Sequence, residues 1–567
     1  MLHTLAPLLT SASVIGVLAL LSPALSAEIP AVPAPPEIQS VQPAALQPGA
    51  THLLRIRGRH LEPVRQIWTS WQGPVPRAHP EDWESTDRTL KIPLHIPPDL
   101  PPGMEKFRLI GPHGVSHPFL VLIDPLPSEA APDSHHDPAR AHPLAAPVAI
   151  DATLPERRSH FYRVPLQSGQ SLSLEVVAQR LGSPLDPVLR ILDPDGHELR
   201  RSTDTPGLGY DCAVTFQAPV PGDYLVEIRD AEYAGGNAHR YRLRAGSFPV
   251  AVQAHLPGLS PSDPTPFPAV APARTGVGPP VVHPGSPIPV GRWLPLDPAD
   301  QAALTPRLPL HVRPPDVEIE PNDDPDTATP LHPDTPVRGH FHRPDDQDWY
   351  RFEVHAPGFW RLGARARELG YASDPLLRLL AADGSTLATS GESAGDPAIH
   401  HRFQTPGTYH LAVEEAGGRT GPHRGYVAWL QPAAAPLRFT ADTDRLHVPV
   451  NGTVTLRLEL VRHGYDGPIR LEPLDWPPGI NLRNPVIDAN RRSWDLEVQC
   501  NASVSPGSWT RGTLRAHPVD QVAHPAELDL SPARRKLFPR LLHLPPGFLT
   551  HLWIVAVPAL PDSPGGN

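Results

Sequence analysis

The sequence predicts an all-β protein, a string of antiparallel β-sandwich domains joined by Pro-rich linkers. Three observations carry that expectation: an extreme proline content, short alternating strands bounded by turn residues, and an internal repeat. Proline occupies 80 of 567 positions, about 14 % where globular chains average about 5 %. An interior proline removes a backbone donor and clashes with the preceding helical turn, so a mainly helical fold is excluded. Hydrophobic residues still make up 40 % of the chain, enough for several small cores. The 49 basic residues are outnumbered by 60 acidic ones, for a net charge of −11. No basic block offsets that acidity, and Lys91, Lys106 and Lys536 are the only lysines. Nucleic acid is therefore not an expected partner.

Residues 1–27 read as a signal peptide. An apolar run from Val14 to Leu21 is followed by Ser22-Pro23 and the small-residue stretch Ala24-Leu25-Ser26-Ala27, which suits cleavage after Ser26 or Ala27. The alternative is an uncleaved anchor, but the run is shorter than the roughly 20 residues that span a bilayer. The expected location is outside the cytoplasm: periplasmic, cell-surface or extracellular, with no transmembrane anchor after cleavage. Cys212 and Cys500 lie far apart in sequence and read as two buried free thiols, since a bridge would need two domains docked at disulfide distance.

Residues 36–124 alternate in short runs. In Leu53-Leu54-Arg55-Ile56-Arg57, Leu54 and Ile56 share one face and Leu53, Arg55 and Arg57 the other. Runs at Thr89–Ile96, Glu105–Ile110 and Val115–Ile123, with Gly103, Gly111 and Gly114 at turns, give the strand density of a β-sandwich. The pattern resembles the immunoglobulin-like IPT/TIG domain, which implies an Ig-like sandwich. Trp68, Trp71 and Trp83 fall in this region as core or loop anchors, or else as an exposed platform for a ligand. Residues 125–146 read as a linker, and His135-His136 within it lacks a third metal ligand.

The repeat relates residues 147–247 to 318–432. His160-Phe161-Tyr162-Arg163-Val164 matches Asp348-Trp349-Tyr350-Arg351-Phe352. Asp186-Pro187-Val188-Leu189 matches Asp374-Pro375-Leu376-Leu377, and Asp195-Gly196 matches Asp383-Gly384. An Asp-Gly between two alternating runs signals a hairpin. Pro221-Gly222-Asp223-Tyr224 and Pro406-Gly407-Thr408-Tyr409 open a late strand in each copy. These blocks resemble the bacterial pre-peptidase C-terminal (PPC) domain, whose pattern is an acidic ExExND approach, a DxDxYxF strand, LDPxLxLxDxDG and GxYxLxV. The second copy carries all four, whereas the first lacks the acidic approach.

Residues 250–316 are a Pro-rich linker or a degenerate β-domain. Residues 436–522 alternate cleanly and resemble bacterial Ig-like modules that follow PPC domains; 523–567 form a C-terminal tail in which Leu552–Val557 reads as a last buried strand.

The strongest candidate for chemistry is acidic. Glu318, Glu320, Asn322 and Asp323 precede the second copy, and Asp345, Asp346 and Asp348 begin its next strand. Carboxylates so concentrated repel one another unless water or a cation neutralises them. Calcium suits the mixture, since it takes roughly six to eight hard oxygens; a solvated acidic linker is the alternative. The related collagen-binding domains of secreted collagenases place calcium ligands in this approach and strand start. That resemblance implies one Ca2+ held by Glu318, Glu320, Asn322, Asp323, Asp345 and Asp348, with Asp346 as a substitute.

Other motifs carry less. Gly391-Glu392-Ser393-Ala394-Gly395 matches GxSxG but lacks the strand–turn–helix setting of a nucleophile elbow. His340 and His342 share a strand face, and Asp193-Pro194-Asp195-Gly196 reads as a turn rather than an EF-hand start. With no complete catalytic set, the sequence points to a non-catalytic exported or cell-surface binding or scaffold protein that engages a surface polymer or protein. Its alternatives are an accessory part of a secreted peptidase or hydrolase system and a structural subunit of an envelope complex.

Overall fold

The computed structural model describes residues 34–76, 83–100, 102–132, 134–205, 208–248, 293–295, 307–309, 316–333, 335–367, 371–390, 396–421, 424–432, 437–520, 525–539, 541 and 551–559. The signal-peptide reading, the GxSxG loop and nearly all of 250–316 lie outside those residues. Within 250–316 the structure describes one antiparallel pair, Trp293–Pro295 with Arg307–Pro309.

The two repeats have one topology. In the first, one sheet runs in the order Ser128–Ala130, Val148–Thr153, Arg240–Gly246, Ser171–Val177, Cys212–Gln217. Its partner sheet runs His142–Pro143, His160–Leu166, Gly222–Asp230, Pro187–Leu192, Glu198–Ser202. The second repeat orders its strands identically: Asp316–Val317, Val337–His340, Gly425–Pro432, Gly358–Arg365, Ala398–Phe403, against Thr329–Pro330, Gln347–Val354, Gly407–Glu415, Pro375–Ala381, Thr386–Thr389. Gly196 (φ 90°) and Gly384 (φ 81°) adopt the left-handed conformation in the Asp-Gly hairpins, where a Cβ would be strained.

Each core is filled from alternate positions of the central strands. In the first repeat Tyr224, Val226 and Ile228 meet Leu174, Leu189 and Leu243; in the second Tyr409, Leu411 and Val413 meet Leu362, Leu379 and Ala428. The outer face of the second sheet is also apolar, and the approach segment covers it. Ala328 joins Trp349, Leu380 and Ala412 in the second repeat, and Ala141 packs on Phe161, Leu192 and Leu225 in the first.

The linker reading of 125–146 is therefore corrected. Ser128–Ala130 pairs in parallel with Val148–Thr153, and His142–Pro143 pairs in parallel with His160–Leu166. Such two- and three-residue edge strands depend on the sheet they join, so the Pro- and Ser-rich composition around them hides them. The buried strand expected at Leu552–Val557 is present, but it belongs to the last sandwich rather than to a tail. Leu552–Val557 is a central strand, parallel to Arg445–Pro449 and antiparallel to Trp509–Pro518.

The first and last sandwiches pack against each other. Trp68 meets Trp553 edge-on at 5.0 Å between centroids, and the Trp509 Nε1–H donates to Gln66 Oε1 at 3.0 Å. Arg108 and Asp444 form an ion pair there, both about fully buried at 0 % and 1 % exposure. Trp68 and Trp83 are buried core residues and Trp71 is half-buried against the core that holds Trp83, so these three read as core and anchor residues rather than an exposed platform. Asp124, beyond the last strand of the first sandwich, accepts from Arg242 (2.7 Å) and Arg244 (3.1 Å) of the first repeat. Cys212 and Cys500 are buried free thiols, as the sequence predicts.

Candidate metal centre

The approach segment of the second repeat crosses from one sheet to the other. Asp316–Val317 lies beside Val337–His340, and Thr329–Pro330 lies beside Gln347–Val354. Between them, the Trp349 N–H donates to the Asn322 carbonyl at 2.8 Å, which pins the crossing against Asp348. Glu318, Glu320, Asn322, Asp346 and Asp348 are thereby gathered. Carboxylate oxygens of Glu320, Asp346 and Asp348 lie within 4.8 Å of one another, and Glu318, Glu320 and His342 form an overlapping group.

The cluster is mostly buried, with Glu320 exposed. Asn322 and Asp348 are fully buried, and Asp346 and Glu318 are buried as well. Glu318 accepts from the His340 N–H (2.7 Å) and from Tyr350 OH (3.0 Å). Tyr426 OH donates to Asp348 Oδ2 at 2.5 Å and lies 2.7 Å from Tyr350 OH. Asp346 accepts from the His342 N–H (2.6 Å) and the Arg343 guanidinium (3.2 Å). The Asp348 Oδ1 and the Asn322 Oδ1 are buried with no hydrogen-bond partner. Among the described residues no Lys or Arg pairs with Glu318 or Asp348; the His342 Nδ1 lies 3.9 Å from Glu318 Oε1. Burial, compounded for Asp348 by the Glu318 charge, holds both carboxyls well above the usual carboxylate range.

Two of the expected ligands stand aside. Asp323 is taken by Arg343. Asp345 is exposed, sits in a left-handed turn at φ 57°, and directs its carboxylate at Gly418, where a Cβ would come within 2.8 Å of Oδ1. Asp346, the substitute, is the residue that turns inward. The choice between neighbours is made by the turn before the strand, which the spacing of the acidic residues does not show. The His342 ring stays 4.9 Å from that of His340, as the strand pattern suggests, and also places Nδ1 2.8 Å from Glu320 Oε1. The Tyr350–Tyr426 pair carries the site from below, and sequence reasoning passed it over because both tyrosines fit a buried core pattern.

The donors fit a hard divalent cation. Carboxylates of Glu318, Glu320, Asp346 and Asp348, the orphaned Asn322 amide oxygen and nearby backbone carbonyls supply oxygens of the kind calcium takes. A cation there would satisfy both orphaned oxygens and offset the mutual repulsion of the buried carboxylates. By contrast, the Asp193, Asp195 and His197 group is a capped hairpin turn. Asp193 accepts from the Asp195 N–H (2.9 Å) and His197 N–H (2.8 Å) there, on the surface.

No protein-family model and no curated protein matches the chain. Solved structures with a likeness to it include the pre-peptidase C-terminal domain of collagenase from Bacillus anthracis, 16 % identical over 21 % of this chain and 98 % of that one, at a TM-score of 0.16. The N-terminal four Ig domains of Dscam1 isoform 6.9 are 10 % identical over 88 % of this chain and 100 % of that one, at a TM-score of 0.16. The M60 catalytic domain with CBM51-1 and CBM51-2 from Clostridium perfringens ZmpB is 8 % identical; 70 % of this chain covers 54 % of that structure at a TM-score of 0.14. Likenesses this distant carry no residue role across. The chain's own sheets define its class, a string of antiparallel β-sandwich modules.

Proposed function

We propose that this protein is a non-catalytic exported scaffold of β-sandwich modules, that its second repeat binds one calcium ion, and that it engages a surface polymer or protein partner. The observation that carries the ion is the pair of buried carboxyls, Glu318 and Asp348, gathered with an orphaned Asn322 oxygen and, among the described residues, with no arginine or lysine paired to them. Calcium here is a structural clamp. It ties the approach segment, through Glu320 and Asn322, to Asp346 and Asp348 at the start of the Gln347–Val354 strand, so the segment stays over the apolar face of Trp349 and Leu380. A closed module of this kind suits display and adhesion rather than turnover.

Calcium titration of the chelator-treated chain tests the ion. One equivalent should bind, and Asp348→Asn should abolish it; an unaltered titration in that variant overturns the assignment. The mature exported protein should begin at Ala27 or Glu28, and N-terminal sequencing that finds Met1 contradicts export. Hydrolysis of casein or p-nitrophenyl esters that disappears in Ser393→Ala would contradict the non-catalytic reading. Crosslinking in the intact envelope identifies the partner.

A further inference from the structure

The first repeat holds its own version of the approach segment, and its chemistry is different. The two approach segments keep the same spacing between their edge strands, as the ladders show. Glu129 pairs with Ile150 where Asp316 pairs with Val337, and His142 pairs with Tyr162 where Thr329 pairs with Tyr350. The Phe161 N–H donates to the His135 carbonyl at 2.8 Å, just as the Trp349 N–H donates to that of Asn322 at 2.8 Å. By this register His135 stands at the Asn322 position, His136 at Asp323, His142 at Thr329, and His160 at Asp348. Ala131 stands at Glu318. Oxygen donors have been exchanged for imidazoles at one place in the fold.

The four rings form one cluster. The His160 ring lies 4.0 Å from that of His135 and 5.2 Å from that of His136, and His135 lies 6.1 Å from both His136 and His142. Imidazoles sharing one tetrahedral ion at N–metal distances of about 2.0–2.1 Å have centroids roughly 5 Å apart. The His136–His160 pair already has that spacing, and the three pairs that His135 makes lie about 1 Å from it. His160 is 1 % exposed, and its Nε2 is buried with no hydrogen-bond partner, as are Nδ1 of His136 and Nε2 of His142.

The other nitrogen of His160 is held from behind. Its Nδ1 lies 2.6 Å from Tyr241 OH, which lies 2.7 Å from Tyr162 OH. These tyrosines correspond to Tyr426 and Tyr350. A ligating imidazole commonly donates its second N–H to such a partner, which orients the ring and leaves the free nitrogen as the donor.

We propose that the first repeat is a transition-metal site, binding one divalent ion of imidazole preference through His160 Nε2, His136 Nδ1 and His142 Nε2, with His135 completing the set. Imidazole ligands suit zinc, copper and nickel, whereas calcium takes oxygen. The two repeats are then one scaffold with two ion chemistries. This inference is independent of calcium in the second repeat.

The test uses the full chain, stripped with chelator, dialysed, and held in excess calcium. Titration with Zn2+ should show one site of micromolar affinity or tighter, and one equivalent of Cu2+ should give an EPR spectrum with nitrogen superhyperfine structure. His136→Gln with His142→Gln should weaken Zn2+ binding roughly 100-fold or more, with the far-ultraviolet circular dichroism unchanged. His136→Gln alone serves if the double variant is misfolded. Asp348→Asn should leave Zn2+ binding intact. Undiminished Zn2+ affinity in the folded histidine variants, or no zinc site in the unaltered chain, overturns the proposal.

Discussion

The two repeats share strand order, register, hairpin glycines and a buried tyrosine pair, yet they differ at the residue that pair supports. In the second repeat Tyr426 donates to Asp348; in the first the equivalent Tyr241 meets His160 at 2.6 Å. The backbone is thus indifferent to what the site holds, while the side chains at four or five positions decide it. A second difference lies on the opposite sheet. Arg242 and Arg244 of the first repeat reach Asp124 of the preceding sandwich, and by the same register Val427 and Trp429 occupy those positions in the second. The Trp429 ring is flanked instead by Arg361 and Arg365, at 4.9 and 5.5 Å. Docking and ion binding are therefore separable features of one sheet framework.

The largest expected effect breaks the docking half of the comparison. Asp124→Ala leaves two fully buried guanidinium groups short of a carboxylate, which costs about 3–5 kcal/mol. Denaturant unfolding of the full chain should show the loss in the transition that includes the first repeat, with the second unaffected. The next effect is calcium itself. A ligand at about 100 times its dissociation constant adds roughly 2.7 kcal/mol to the form it binds, a rise of several degrees in the melting of the second repeat. Asp348→His, which installs the first repeat's residue, should abolish that rise.

The acidic site also sets a pH dependence with a definite sign. In the calcium-free chain Glu318 and Asp348 hold protons more tightly when folded than when unfolded. Their stabilising contribution is complete below the unfolded carboxyl range of about 4 and is lost as the pH rises through their folded values. Without calcium, the second repeat should therefore weaken from mildly acidic pH towards and beyond neutrality. With calcium the slope reverses, because the ion binds the deprotonated carboxylates and releases their protons. Melting curves across that range, with calcium or chelator, check both signs. The smallest effect sharpens the tyrosine comparison. With calcium bound, Tyr426→Phe removes a hydrogen bond to a carboxylate and costs about 1.5–3 kcal/mol. In the metal-free first repeat Tyr241→Phe removes one to a neutral ring, costing about 0.5–1.5 kcal/mol.

What the sequence shows of all this follows the range of the interaction. The Asp195-Gly196 and Asp383-Gly384 hairpins and the Gly-x-Tyr strand starts are legible because turn chemistry and alternation act over a few residues. The acidic cluster is legible as composition, but its membership is not. Asp346 displaces Asp345 because of one left-handed turn, and Arg343 withdraws Asp323. The histidine cluster is harder still, since His135 and His136 lie in a stretch that looks like a linker and His160 is some twenty-five residues on. The one local clue is Ala141-His142-Pro143-Leu144 against Ala328-Thr329-Pro330-Leu331, which extends the repeat back through both approach segments. The meeting of Trp68 with Trp553 leaves no local trace, because it depends on the chain returning across its whole length.

Hydrogen–deuterium exchange of the full chain, with millimolar calcium against chelator and no transition metal present, tests the central claim most directly. Amides in 318–331 and 347–354 should gain protection with calcium, while the equivalent amides in 131–144 and 160–166 should exchange unchanged. Equal behaviour of the two repeats, or protection confined to the first, would contradict the assignment of calcium to the second.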